Sequence, residues 1–181
     1  FAGDLPRGIN GGYYPVQVRS IWRTGALALP DFPLLFYIQA AVALLLRPFT
    51  GDAARAILLA TQTTDAVLPV LVAIPILLLA RAWVPPTRRW NLPAVVLGAG
   101  LAATANPLAL RMAGDLQKNS AALGLAMTFV YFADCHGRNP RWRSALGALA
   151  SLGLTGLTHL GVFGMTLLLA GAMGAAAIPG G

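Results

Sequence analysis

Residues 53–84, AARAILLATQTTDAVLPVLVAIPILLLARAWV, decide how this chain folds. The run is apolar at both ends, polar across Thr61-Gln62-Thr63-Thr64-Asp65, and carries Pro69 and Pro75 just beyond. As one helix it would reach roughly 45 Å, more than the about 20 residues a membrane crossing needs. Proline removes a backbone donor and crowds the preceding turn, so a kink or break is expected here. Asp65 lies inside the apolar run, where an ionisable group either serves a function or marks a solvated turn of a kinked helix.

The composition points the same way. Of 181 residues, 57% are hydrophobic and 10% charged, with mean hydropathy +0.68. Soluble domains carry about a quarter charged residues, so the chain reads as an integral membrane protein. All its acids are Asp, and Lys118 is the sole lysine among thirteen bases. An Ala/Gly/Arg-rich genome accounts for that bias as well as a function does. The net charge of +7 suits loops that orient membrane helices and meet anionic lipid headgroups, so nucleic acid need not be invoked. A single cysteine, Cys135, excludes an internal disulfide and a Cys-rich metal site.

Working outward toward the start, Leu34 to Leu46 is apolar but short for a span. Before it comes FAGDLPRGINGGYYPVQVRSIWRTGALALPDFP, a polar, glycine-rich segment on an otherwise greasy chain. Gly11-Gly12 breaks it, and Tyr13 to Thr24 suits a short helix. Tyr14, Val18, Ile21 and Trp22 share one face, with Arg19 and Arg23 beside them, the pattern of a helix in the membrane interface. Asp31 reads as a turn residue before Pro33 and as the cap of the apolar segment from Leu34.

Working outward toward the end, 81–91 is a basic, proline-bearing loop and Pro93 to Leu110 a span. RMAGDLQKN, 111–119, is a polar loop, Ala121 to Ala133 another span, and CHGRNPRWR, 135–143, a second basic loop. Ala145 to Ala177 makes a long glycine-rich final span, with a turn expected near Gly171 to Gly174. The small-residue steps Gly98-x-Gly100 and Gly147 to Gly156 suit close helix packing. The fold expected is therefore all-α: residues 1–33 form an external loop with an interfacial helix, and 34–181 a polytopic transmembrane bundle. The chain begins at Phe1 and ends in AAAIPGG, and one further helix before it and several after are expected.

The basic loops set the sides. Arg81, Arg88 and Arg89 in one, and Arg138, Arg141 and Arg143 in the other, come without an acid between 136 and 143 or 81 and 91. Both loops are expected on the cytoplasmic side of a plasma membrane. Loop 111–119 then lies outside, and the opening segment joins it if 34–46 is interfacial or re-entrant, or if 53–84 crosses twice. Asp4 and Asp115 then share one face. Asp115 is either a helix N-terminal acid favoured by the dipole or a carboxylate at the membrane edge, helped by Gln117 and Lys118. Asp4 is either an ordinary loop acid or part of a site in which Arg7, Tyr13, Tyr14 and Arg19 hold a phosphate or sugar. His159 reads as a buried group bonding between helices, and His136 with Cys135 as a loop pair without a metal partner. No P-loop, GxGxxG, HExxH or GxSxG motif is present.

In this order of features the chain resembles the GT-C superfamily of polytopic glycosyltransferases, which includes protein mannosyltransferases, oligosaccharyltransferases and lipid A aminoarabinose transferases. The counterparts are Asp4 in a first external loop, a juxtamembrane helix from Tyr13 to Gly25, and the lead-in Asp31-Phe32-Pro33-Leu34-Leu35-Phe36-Tyr37. RMAGDLQKN looks like the family's second external loop, and GLTGLTHLGVFGMTLLL like a later helix, with His159 where the family has lysine. The resemblance implies sugar transfer from a polyprenyl-phosphate donor to an acceptor on the external face. It makes Asp4 the catalytic acid or base and Asp115 its helper or a ligand of a divalent metal (Mg or Mn), with arginines on the phosphate. The first loop has Gly-Asp-Leu where several branches pair two acids, and the C-terminal periplasmic domain of the family has no counterpart here. The alternatives are a transporter or flippase piece, with Asp65 and His159 along a path, and a non-catalytic membrane subunit.

Overall fold

The computed structural model describes residues 11–85 and 117–176, together with 87, 93–94 and 97–98. Among these, every regular element is a helix and there is no strand. Asp4, Arg7 and Asp115, and most of the expected span 93–110, lie outside the described residues.

Helix α1 spans Tyr13–Thr24 and α2 spans Leu34–Thr50. Each ends on a glycine in the left-handed region, Gly25 at φ 74° and Gly51 at φ 67°, a conformation that costs other residues a Cβ clash. α1 forms where Gly11-Gly12 breaks the chain, and it buries the face expected. Tyr14 is 2% exposed and Val18 is fully buried, while Trp22 Nε1 donates to the Ala40 carbonyl of α2 at 3.2 Å. Val18, Ala40, Ala43, Ile57 and Ala60 form one core there. α3 (Ala53–Leu71) starts on Asp52, whose carboxylate accepts from the N–H of Ala54 and Arg55 at 3.2 and 3.1 Å, satisfying donors the first turn leaves open.

α3 and α4 (Ala73–Trp83) are parts of one 31-residue helix. They meet at Val72, φ −59° and ψ −28°, between Pro69 and Pro75. The expected perturbation is therefore a local break in the ladder, and the run does not double back. This helix is long and apolar enough to cross a membrane, and only 17% of its most apolar window is buried within the fold.

Later in the chain, α5 spans Gln117–Arg138, α6 Trp142–Thr158 and α7 Leu160–Ala176. α5 begins and ends several residues outside the span expected from hydropathy, and it runs parallel to the helix beside it. Gln117 meets Gln39 and, through it, Thr64. Gly124 lies against Val72, and Asp134 accepts from Trp83 Nε1 at 3.1 Å. α6 returns antiparallel, His136 facing Ser144 and Phe132 lying on Gly147. The chain breaks at His159, not near Gly171. His159 is extended at φ −160°, ψ 115°, and its Nδ1 accepts from the N–H of Val162 at 3.3 Å, so it caps α7 as an Asp or Ser would.

The bundle mixes polar side chains into its apolar core and leaves large apolar ones outside. Its buried positions include Gln17, Gln39, Thr61, Thr64, Gln117, Ser151, Thr155 and Thr158, while Phe49 is 86% and Leu168 77% exposed. The buried hydroxyls are satisfied on their own helices: Ser151, Thr155 and Thr158 donate to carbonyls four residues back at 2.7–2.8 Å. Small residues on α6 let α5 approach closely. Exposed apolar area on this scale marks a surface meant for lipid or for partner chains.

Candidate functional site

Gln17 sets the geometry from which the site is built. It is fully buried on α1, and its amide is entirely used. Oε1 accepts from the N–H of Ala28 and Leu29 at 2.8 and 3.1 Å, and Nε2 donates to the Leu29 carbonyl and the Tyr13 hydroxyl, both at 3.0 Å. These bonds fold the loop after Gly25 back along its own helix, and the loop delivers Asp31 over Tyr13.

Asp31 does not cap α2: the N-terminus of that helix falls on Pro33 without a side-chain cap. Its Oδ2 instead accepts from the Tyr13 hydroxyl and from Lys118 Nζ at 2.5 Å, and its Oδ1 from the N–H of Phe32 at 2.7 Å. Partial burial pushes this carboxyl up, but the hydrogen bonds from Lys118, Tyr13 and Phe32 outweigh it and hold the group below the usual range. Tyr13 moves the other way, raised by burial and by donating to Asp31. Lys118 Nζ is 5.8 Å from the ring centroids of both Tyr13 and Phe36, within reach of a cation–π attraction. Tyr13, Tyr14 and Phe36 pack mutually at 5.6–5.8 Å, flooring the ion pair with aromatic surface.

The network continues inward. Burial raises the Tyr14 hydroxyl to about 12, against the pull of the backbone N–H groups of Lys118 and Gln117 that face it, and Asp65 and Asp31 add negative charge nearby. Gln39 Nε2 donates to Gln117 Oε1 at 2.7 Å and reaches Thr64 Oγ1 at 3.0 Å. Gln39 Oε1 and Gln117 Nε2 are buried and have no hydrogen-bond partner among the described residues, an acceptor and a donor still open.

Directly beside this polar group lies an apolar cavity of about 380 Å³ between α2, the α3/α4 helix, α5 and α6. Leu34 and Leu35, Leu68, Ala121 and Thr158 line it, and Leu35, Leu68 and Ala121 also pack with Tyr14 and Phe36. One wall is therefore shared by the cavity and the ion-paired cluster.

Of the site residues expected from sequence, Tyr13, Tyr14, Gln117 and Lys118 come together. Arg19 does not: it is exposed on α1 and makes no bond among the described residues. Asp31, Gln17 and Gln39 were not expected there. Asp31 stands in the Asp-Phe-Pro lead-in, and its role depends on partners 18 and 87 residues away. Among the described residues no three His, Cys, Asp or Glu side chains could share a metal ion, and both Asp31 oxygens are already engaged. The divalent metal that the resemblance implies would rest on Asp4 and Asp115, which lie outside these residues. No family model, no curated protein and no solved structure matches this chain.

Proposed function

We propose that this chain forms a multi-pass membrane bundle that holds an amphipathic lipid phosphate and serves transfer of a sugar from it on the external face. One observation carries the reading: a lysine-bearing polar cluster shares a wall with an apolar cavity. A polyprenyl-phosphate sugar has that shape, an anionic head on a hydrocarbon chain. Its chain would lie along Leu34, Leu68 and Ala121, and its phosphate beside Lys118, the only lysine. Lys118 would meet it as a flexible point charge drawn part of the way from Asp31.

The membrane reading has separate support. Asp65, Lys118 and Thr158 stand at one level of the packed helices, and Trp83, Arg138 and Trp142 at the other. Eighteen residues from Asp65 to Trp83 rise about 27 Å, close to the ~30 Å hydrocarbon core. Among the described residues, Arg81, Arg138, Arg141 and Arg143 stand at the Trp83 end, accompanied by the single acid Asp134, while Arg19, Arg23, Arg47 and Arg55 stand toward the other end with Asp31, Asp52 and Asp65.

In the transfer, the acceptor hydroxyl oxygen bonds to the anomeric carbon as the carbon–oxygen bond to the lipid phosphate breaks. The proton passes to a carboxylate, for which Asp4 is proposed, with Asp115 proposed to assist it. The phosphate leaves as an anion stabilised by Lys118 and by Arg7. The test is donor binding and turnover in the full-length protein with a short-chain polyprenyl-phosphate sugar. Lys118→Gln should weaken binding, and Asp4→Asn should abolish transfer while leaving binding intact. Unchanged binding by Lys118→Gln sinks the proposal for the site, and wild-type turnover by Asp4→Asn sinks the role of Asp4.

A second reading, transport, draws on the open amide valences of Gln39 and Gln117 close to Asp65. Buried polar groups between the helices of a membrane bundle can line solute and proton paths. Loss of solute flux in Gln39→Leu, with no sugar transfer in the wild type, would favour it.

A further inference from the structure

At the end of α5 remote from Lys118, the turn into α6 borders an open, shallow cleft of about 420 Å³. α5 is 22 residues long, so about 30 Å separates the two ends. Arg138, Arg141 and Arg143 line the cleft with Asn139 and Ser144. The one acid nearby among the described residues is Asp134, and it is already occupied: Oδ2 accepts from Arg138 Nε at 2.9 Å and Oδ1 from Trp83 Nε1 at 3.1 Å. Arg138 also donates to the Ala82 carbonyl at 3.3 Å, which ties the cleft to the end of α4. Arg141 and Arg143 are exposed and have no carboxylate among the described residues.

Three further features make the cleft a place for an anion at a membrane surface. α6 begins at this point with no side chain capping it, so its open N–H groups add positive potential. His136 Nδ1 lies 3.3 Å from both Ser144 Oγ and the Arg141 carbonyl, holding the turn in shape. Trp142 is 70% exposed and Trp83 60%, and amphipathic indole rings favour the headgroup level.

We propose that this cleft binds the phosphate of an anionic phospholipid headgroup. Charge complementarity selects an anion, and arginine forks match phosphate oxygens. The apolar side chains select a lipid over a free phosphate: Leu146 and Leu149, on the turns of α6 just past the cleft, are 56% and 67% exposed and offer acyl chains a track. The proposal rests on the membrane reading above and is independent of sugar transfer.

The test uses the full-length protein in an uncharged detergent, with bound lipid counted by native mass spectrometry. It is titrated with short-chain phosphatidylglycerol, short-chain phosphatidylcholine and inorganic phosphate. Phosphatidylglycerol should bind best, and Arg141→Ala with Arg143→Ala should weaken it roughly thirty-fold, about fivefold for each arginine. The paired lysine variants should keep most of the affinity, and Arg55→Ala, on α3 and away from the cleft, should bind as the wild type does. If the double alanine variant does not fold, Arg143→Ala alone should still show the fivefold loss. Equal affinity of the arginine variants and the wild type overturns the site. So does phosphatidylcholine binding as tightly, and displacement of the lipid by equimolar inorganic phosphate would overturn the lipid in favour of a free anion. Loss of polyprenyl-phosphate binding at Lys118 with this preference intact would remove the transferase reading alone.

Discussion

Lys118 Nζ donates to Asp31 Oδ2 at 2.5 Å, joining positions 87 residues apart. That bond fastens the loop after α1 to the first turn of α5, and the Tyr13 hydroxyl bonds the same oxygen. The pair is only partly open to solvent, with side chains 21% and 12% exposed, so each charge depends on the other more than on water. Removing Asp31 leaves an ammonium and a phenol to find new partners.

Asp31→Ala should therefore destabilise the protein by about 2 kcal/mol, the range for hydrogen bonds to charged groups. Lys118→Met should cost a similar amount, and the double variant clearly less than the sum of the two, because both break one interaction. Denaturant unfolding in detergent measures all three. Additive losses would show that the two residues act separately.

Acid should remove the same stabilisation. The folded state holds the Asp31 carboxyl below its ordinary value of 3.8. A depressed carboxyl contributes stability that is fully present above the unfolded value and lost as pH falls through the folded one. The gap between wild type and Asp31→Asn should thus be constant from neutral pH down to about 4 and close below that. A gap that closes nearer to neutral pH would point to a different group.

Tyr14 makes the opposite prediction at high pH. Its hydroxyl is raised to about 12 from 10.0, mainly by burial, so the folded state holds the proton more tightly than the unfolded chain. Stability from the neutral phenol is present below about pH 10 and lost as pH rises toward about 12. Tyr14→Phe should cost about 1 kcal/mol at neutral pH, since the N–H groups of Gln117 and Lys118 lose their acceptor, and it should remove the highest step in the tyrosinate absorbance titration. A Tyr14 that ionises with the exposed tyrosines would contradict the buried placement.

The helices of this chain are legible in its apolar runs, and so are the face of α1 and the break at Gly11-Gly12. Their ends are less so. Gln117 to Asn119 and Cys135 to Arg138 read as loops because hydropathy counts polar side chains against a span, yet Gln117 is 1% exposed, bonded to Gln39. The turn at His159 is hidden because histidine is not a usual cap, and the glycines of 171–174 offer a more familiar signal. Asp31 departs from its expected role for a stronger reason: local pattern describes a turn before proline, while its partners come from α1 and α5. The meeting of Tyr13 and Tyr14 with Gln117 and Lys118 is visible in the sequence only as a shared membrane face.

Close packing of α5 on α6 gives a separate prediction. A Cβ added at Gly147 would lie 2.7–2.9 Å from three ring atoms of Phe132, nearer than real Cβ contacts come. Gly147→Ala should destabilise by about 1–3 kcal/mol through overpacking, despite alanine's better helix propensity. Adding Phe132→Leu should recover part of the loss, since the smaller side chain can retreat. A stabilising Gly147→Ala would mean the two helices stand further apart than described.

The levels assigned to the two ends of the bundle can be checked with the chain's single cysteine. Cys135 is near the Arg138 end, half-buried beside the basic cleft, and Thr63 is exposed on α3 at the level of Asp65. If about 27 Å of helix between these levels crosses the bilayer, their sulfhydryls face opposite sides. In intact cells, a membrane-impermeant maleimide should label Thr63→Cys in a Cys135→Ser background and should leave native Cys135 untouched. Permeabilised cells should show both labelled, which controls for simple inaccessibility. Labelling of both in intact cells would place the two ends on one side. The exposed leucines of α6 and α7 would then need another protein, and not lipid, to cover them.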